Sequence, residues 1–580
     1  MTVLVVGGGI TGLASAYELG RAGIPTLLVE DSKRLGGKVR TEAVDGFVIE
    51  HGPDSFVSYR PAGVQLCREL GLEDAIIRPR EPRSVFVRAG GRFRRFPDGM
   101  GLVLPTKFLP FVTSDLFSPL AKARMGLDLL LPRSRDEGDV AVGPFLRRRL
   151  GASLVDRLAG PLIGGVYGTP IDELSLDAVV PQLRGHEREH RSLLLAALAD
   201  GRARRRAAAA RVRDGAPSAP PSPFVSLAGG TGQLVDALVE AVRAMPSVGI
   251  WTGALVEDLS VEGSRVRVRL CGGERLAPEA VILATPAPVA ADLLARDVPA
   301  AAAHLRAIPH GDTAVVNLAY GEDQLPDELA GHGFLVAGGE PLTISAATLS
   351  SNKWAGRAPE GTLLVRAFIG DGRADRAADG SALVAAAHRD VSGALGIRGR
   401  PIFTRVARYP RAMPHYTVGH LDRVAAAEAA LAAHPLLRIA GGAYRGVGLP
   451  DCIAQGRSAA GEVAARLSGG LSFTSARTAA IGTAPAASVA ASAATAPVPV
   501  MLDALPVGRA ARIVSVAGEH GPELALEGVL PGTSVSIASR APLGGPVVIG
   551  VGRARVAVAR KVAARIAVQP LAEAVAEAAP

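Results

Sequence analysis

Gly7, Gly9 and Gly12 stand at G-x-G-x-x-G spacing, directly after the β-rich run Val3–Val6 and directly before a helix-like segment, Leu13–Arg21. Such a loop can cradle a pyrophosphate. Gly7 allows the tight turn, Gly9 lets the backbone approach an anion, and Gly12 permits close helix–strand packing. The helix start adds free N–H groups and a partial positive charge. A second strand, Pro25–Val29, ends at Glu30, whose carboxylate suits a ribose 2′-hydroxyl and would repel an adenosine 2′-phosphate. Strand, glycines, helix, strand and acid together read as a dinucleotide site on a Rossmann-like α/β frame.

The elements that must position this loop come in separated pieces. The expected dinucleotide domain is assembled from 1–80, 223–294 and 410–467, each with a glycine turn between a strand and a helix or a buried strand such as Ala280–Ala284. Residues 81–94 and 295–409 read as a mixed α+β substrate domain, and 95–222 as a helical region. An Ala/Ser/Thr/Pro-rich linker is expected over 468–500, and a separate small β domain over 501–570.

Composition excludes several classes. The chain has 580 residues and 48% hydrophobic content, enough for several cores, with 14 Phe, 7 Tyr and 2 Trp. Cys67, Cys271 and Cys452 are too dispersed for a metal motif or a disulfide framework and fit a reducing compartment. No signal peptide precedes the first strand and no segment reads as a transmembrane helix, so a cytoplasmic protein is expected. The net charge of +9 owes much to arginine, with Arg202, Arg204, Arg205, Arg206, Arg211 and Arg213 clustered. That cluster has no interleaved aromatics, so it reads as a solvated helix end rather than a nucleic-acid site; attraction to an anionic membrane is the second reading.

The segment Ser32-Lys33-Arg34-Leu35-Gly36-Gly37-Lys38 resembles the R-x-G-G motif of the FAD-dependent amine oxidase and desaturase superfamily. The resemblance puts Arg34 and Lys38 near the pyrophosphate and ribityl chain of FAD. Longer phrases narrow it: EHGPDSF at 50–56, FLRRRLGASLVDRLAGPLIGGVYGTPIDELSL at 145–176, SNKWAGRAPEGTLLVRAFIG at 351–370, RYPRAMPHYTVGH at 408–420 and AYRGVGLPDCIAQGRSAA at 443–460. Over about residues 1–467 the chain resembles the bacterial protoporphyrinogen/coproporphyrinogen oxidase family. This implies a flavoenzyme of haem biosynthesis that removes six electrons from protoporphyrinogen IX or coproporphyrinogen III, with oxygen as acceptor and hydrogen peroxide as product.

Carried over by position, the resemblance implies FAD contacts at Gly7, Gly8, Gly9, Ile10, Thr11 and Gly12, and ribose contacts at Glu30 and Asp31. Gly52, Pro53, Asp54 and Ser55 would line the isoalloxazine, and the Val256 backbone would hold the adenine. Tyr409, where the family usually has Trp, and Val447-Gly448-Leu449 would close over the ring. Gly442 stands where the family often has Asn, which removes a side-chain hydrogen bond. Binding is expected to be non-covalent, His51 and Cys452 being the only His or Cys in flavin-facing segments. Arg83 matches a propionate anchor and Gly165 a position against the macrocycle; as a lone residue Arg83 reads first as a solvated strand start, and the resemblance puts the anchor role ahead. No metal cluster and no protein acid–base constellation stands out, so the cofactor carries the chemistry.

The helical region corresponds to the family's membrane-associating part, and GLVLPTKFLPFVTSDLFSPLAKARMGLDLLL mixes apolar clusters with cations, as an interfacial surface does. An ordinary helix pair packed on the substrate domain explains it equally. Residues 502–569 resemble the small SH3-like β-barrel of the ferrous-iron transport protein A family, read as an interaction module toward an iron-transport partner or ferrochelatase. Two other readings share the frame: an amine oxidase or carotenoid desaturase, and a flavin-bearing regulatory protein acting through its C-terminal domain.

Overall fold

The computed structural model describes residues 2–570 apart from 102, 106, 135–137, 214–221, 263–264, 327–330, 371–378, 479–499, 507–508, 517–533, 541–546 and 552–553. Most of the expected linker therefore lies outside the described residues. The chain divides into two compact units, Met1–Ala480 and Ile481–Pro580.

In the first unit, Val3–Val6 is the central strand of a five-stranded parallel sheet ordered Val248–Thr252, Thr26–Glu30, Val3–Val6, Ala280–Leu283, Leu437–Ile439. Val3–Val6 and Ala280–Leu283 are buried at every residue. Continuous apolar runs of this kind are what a parallel sheet covered on both faces requires. On one face Val3, Val5 and Ile282 pack with Leu13, Leu238 and Ile453, from the helices Ile10–Arg21, Gly232–Arg243 and Leu449–Thr478. On the other, Leu4, Val6 and Leu283 meet Ala290, Leu294, Leu259 and Val268. The last two belong to a three-stranded antiparallel sheet, Val256–Glu262, Arg265–Leu270 and Arg275–Leu276. The sheet order reverses direction on either side of Val3–Val6, and the crevice at its carboxyl end is where such folds hold ligands.

Two details add to the sequence reading. Phe224–Leu227 does not join the parallel sheet; it pairs antiparallel with Phe56–Val57 and Ile76–Ile77. The last helix of the unit runs on to Thr478, into the residues where a linker was expected to begin.

A seven-stranded sheet follows, ordered Phe403–Pro414, His310–Tyr320, Leu363–Ile369, Ala346–Leu349, Gly333–Val336, Phe86–Ala89, Arg92–Arg95. Helices from Phe108 to Arg213 build a separate core around Phe145, Leu158, Ile163 and Tyr416, including a π-helical stretch, Val155–Gly164. Among the described residues no helix is long and apolar enough to cross a membrane. The second unit is a six-stranded antiparallel sheet, ordered Val500–Met501, Ile566–Pro570, Ala510–Val516, Ser534–Arg540, Val547–Val551, Ala554–Val558. It closes on Leu502, Ile513, Val535, Ile549 and Ile566.

Candidate cofactor and substrate site

The glycine loop has the geometry its spacing requires. Gly7 has φ +105°, and a Cβ there would lie 2.7 Å from the Ala284 carbonyl oxygen. At Gly12 a Cβ would lie 1.9 Å from the Gly7 oxygen, whereas at Gly9 it would meet nothing within 4 Å. The loop is thus packed tightly behind and open in front, at Gly9, the one glycine expected to face the anion. Helix Ile10–Arg21 starts from Gly9 with no side-chain cap, leaving its first turn available to an anion. Gly8 donates its N–H to Glu30 Oε2 at 2.6 Å, and Ser32 binds Oε1 through its N–H at 3.1 Å and its hydroxyl at 2.7 Å. Burial, together with Asp31, pushes the Glu30 carboxyl above its ordinary value. Asp31 itself is exposed. Thr285, whose methyl group stands behind Gly7, has a buried hydroxyl without a hydrogen-bond partner. An open phosphate loop, a ribose-level carboxylate and an orphaned hydroxyl fit a dinucleotide cofactor.

The R-x-G-G segment lies on this loop: Gly36 bridges Gly9 in parallel and donates its N–H to the Gly8 carbonyl at 2.8 Å. Arg34 turns back onto the carbonyls of Leu35 (2.8 Å), Val39 (3.1 Å) and Gly37, so its guanidinium braces its own turn. Burial lowers the pKa of the Lys38 ammonium, which donates to the Ala412 carbonyl. Ala412 lies in a bulge where Gly311 pairs Met413 and Thr313 pairs Tyr409, with Arg411 at φ +45°. The bulge sets the position of Tyr409, whose phenol burial pushes upward in pKa. Behind them, a Cβ on Gly52 would lie 1.8 Å from the Lys38 oxygen and 3.7 Å from the Tyr409 hydroxyl. Residues 36–38, 52 and 409 thus meet, although they are far apart in sequence.

The Asp54 side chain is fully engaged. Its Oδ2 accepts from Lys353 Nζ at 2.9 Å and Trp354 Nε1 at 3.1 Å, and pairs with Arg366 at 3.3 Å. Burial alone would raise its pKa, but the charges of Lys353 and Arg366 and the two hydrogen bonds hold it far below the ordinary carboxylate range. The Asp54 side chain is therefore an ion-pair centre, and Ser55 Oγ is spent on Asp54 Oδ1 at 2.8 Å. The carbonyls of Pro53 and Asp54 are held by the Thr231 and Ser226 hydroxyls, at 2.8 and 2.7 Å. Arg366 binds the Glu50 and Gly52 carbonyls, and Arg357 binds Ser226, Leu227 and Ala228. Sequence reading missed this polar hub. Its signal was an arginine in the middle of the apolar strand LLVRAFI, a position where charge survives only if paired.

Val256 is buried at the start of its strand, next to a bulge before Asp258. Val447 and Gly448 are half-buried and Leu449 buried, where the long helix begins; a Cβ on Gly456 would lie 2.3 Å from the Thr11 oxygen, so this helix packs closely on the first. Gly442 presents its carbonyl to the Tyr416 hydroxyl at 2.8 Å. Arg83 lies over the Phe224 ring at 5.0 Å, with no ion pair or hydrogen bond to its guanidinium among the described residues. Burial lowers its pKa. The residue is exposed, and the Glu81 carboxylate, which accepts the Arg83 backbone N–H at 2.8 Å, acts on the guanidinium electrostatically. At Gly165 a Cβ would meet nothing within 4 Å. Among the described residues no cluster of metal-ligating side chains occurs.

Residues 10–464 match the family described as flavin containing amine oxidoreductase, and residues 500–570 match the FeoA domain. A coproporphyrinogen III oxidase of Propionibacterium freudenreichii is 44% identical over 485 residues, covering 80% of this chain and 90% of that protein. Human protoporphyrinogen oxidase is 33% identical over 482 residues, covering 79% and 97%. A crystal structure assigned as a protoporphyrinogen oxidase from Exiguobacterium superposes with a TM-score of 0.69 at 30% identity, covering 80% and 99%. The chain belongs to the flavin containing amine oxidoreductases, within the group that holds these porphyrinogen oxidases. A flavin is therefore the cofactor of the first unit.

Proposed function

We infer that the protein is an FAD-dependent porphyrinogen oxidase of haem biosynthesis, acting on coproporphyrinogen III in preference to protoporphyrinogen IX. The observation that carries this is 44% identity over 485 residues to a coproporphyrinogen III oxidase, in a flavoprotein frame that holds an exposed arginine, Arg83, over the Phe224 ring. A porphyrinogen is a broad apolar macrocycle with propionate arms, and the arginine fork suits a carboxylate. Arg83 holds one arm, and the bare backbone at Gly165 admits the edge of the macrocycle. Bound FAD supplies the electron-accepting chemistry, and oxygen takes the electrons to give hydrogen peroxide. The protein's own residues bind and orient. Gly7–Gly12, Lys38 and Glu30 with Asp31 hold the dinucleotide, Gly52–Ser55 present their backbone to the ring, and Val256 meets the adenine. Tyr409 and Val447–Leu449 exclude water. With no His or Cys assigned to a covalent bond, acid precipitation should release all the yellow colour; colour left in the pellet would refute non-covalent binding.

Residues 501–570 act as a small SH3-like β-barrel that recruits an iron-transport protein or ferrochelatase, placing iron handling beside porphyrin synthesis. Peripheral membrane contact by the helical region is supported by exposed Leu109, Val112, Leu120 and Leu130 near Lys107. Assaying both porphyrinogens side by side in air tests the substrate. Faster porphyrin formation from coproporphyrinogen III is expected, and faster turnover of protoporphyrinogen IX would reverse the assignment. Yellow protein that oxidises neither would favour the regulatory reading.

A further inference from the structure

Tyr416 and His420 hold the loop that precedes Val447–Leu449. Tyr416 is 1% exposed. Its hydroxyl donates to the Gly442 carbonyl and accepts the Gly446 N–H, both at 2.8 Å. His420 is fully buried and lies face to face with Tyr416, ring centroids 3.9 Å apart at 15°. Its Nε2 is 2.8 Å from the Tyr444 carbonyl. A carbonyl only accepts, so Nε2 carries the proton. Burial pushes the His420 pKa down to about 4, which keeps the ring neutral near pH 7. Two side chains of one short segment thereby grip three backbone groups within residues 442–446. The loop bends at Gly441 (φ +141°) and Gly446 (φ +130°), conformations that favour glycine, and runs straight into Val447. The Tyr416 ring also contacts Tyr167, centroids 5.7 Å apart, two residues from Gly165.

We propose that Tyr416 is a positioning residue that ties the substrate-facing segment around Gly165–Tyr167 to the flavin-facing loop 442–449. This rests on the porphyrinogen oxidase reading for what lies on either side. The chemistry is local. The phenol is both donor and acceptor, so one group satisfies a carbonyl and an N–H four residues apart, and phenylalanine would leave both buried and unpaired. The ring contact with Tyr167 survives that change, so the two halves of the tie can be separated.

In the full-length holoenzyme, Tyr416→Phe should release flavin roughly ten- to a hundredfold faster, the scale of two lost hydrogen bonds. It should also shift the visible flavin spectrum and lower kcat, with KM for coproporphyrinogen III within about twofold of normal. Tyr167→Leu should instead raise KM. A Tyr416→Phe enzyme that loses only thermal stability, with spectrum, release rate and kcat unchanged, would reduce Tyr416 to a structural strut and overturn the proposal. Should that variant not fold, hydrogen exchange of the Gly446 amide in the unmodified protein decides: strong protection supports the tie, and exchange at the unprotected rate removes it. Protein that binds flavin but oxidises no porphyrinogen would defeat the functional reading while leaving the amide and release measurements to judge the loop.

Discussion

The cofactor end and the substrate end of the first unit are built differently. Around Gly7–Gly12, Gly36 and Gly52 the recognition surface is backbone, and every close approach exists because a side chain is absent. Around Arg83 it is a side chain, an exposed guanidinium lying over the Phe224 ring. Backbone sites tolerate almost no added atom, whereas a side-chain site can be removed with the fold intact. The first should fail completely when altered and the second by degrees.

The largest effect follows from that contrast. Gly12→Val would press its side chain into the Gly7 carbonyl, so the protein should be isolated colourless and without flavin. Next is Asp54, whose side chain pairs with Lys353 and Arg366 rather than forming part of either recognition surface. Asp54→Asn leaves Lys353 and Arg366 with a neutral partner and should destabilise the unit by about 3 kcal/mol in denaturant unfolding. Because the folded carboxyl titrates far below the unfolded one, its stabilisation is complete above the unfolded value of about 4, begins to fall below it, and is lost as pH drops through the folded value. The wild-type protein should lose this increment on acidification, and Asp54→Asn should lack that part of the pH dependence.

At the substrate end, Arg83→Ala should raise KM for a porphyrinogen roughly ten- to a hundredfold, with a smaller effect on kcat, since propionate binding is shared by ground and transition states. A normal KM would move the anchor elsewhere, with Arg80 and Arg78 next. At the cofactor end, Glu30→Ala should weaken FAD binding by about 1–3 kcal/mol and leave KM unchanged. The smallest effect is expected from removing residues beyond Ala480, where the first compact unit ends. Flavin content and turnover should stay near those of the full chain, and loss of flavin would make the C-terminal domain part of the catalytic unit.

The cofactor end was legible because its information is local: three glycines, a strand and an acid within the first thirty residues fix a turn and a helix start. The parallel sheet could be anticipated from buried runs such as AVIL, since only strands covered on both faces tolerate them. What escaped reading was tertiary. Phe224–Leu227 looks like any short strand, and its antiparallel partners Phe56–Val57 and Ile76–Ile77 lie far away in sequence. Asp54 lies in the phrase EHGPDSF, but its partners come from a segment some three hundred residues on. Pairings of that separation leave no periodicity to read, only the oddity of a charge in an apolar strand.

Anaerobic mixing of the full-length yellow protein with coproporphyrinogen III tests the central claim most directly. The flavin absorption should bleach as porphyrin fluorescence appears, and admitting oxygen should restore the colour with formation of hydrogen peroxide. Flavin that stays oxidised in the presence of excess coproporphyrinogen III and protoporphyrinogen IX would contradict the claim.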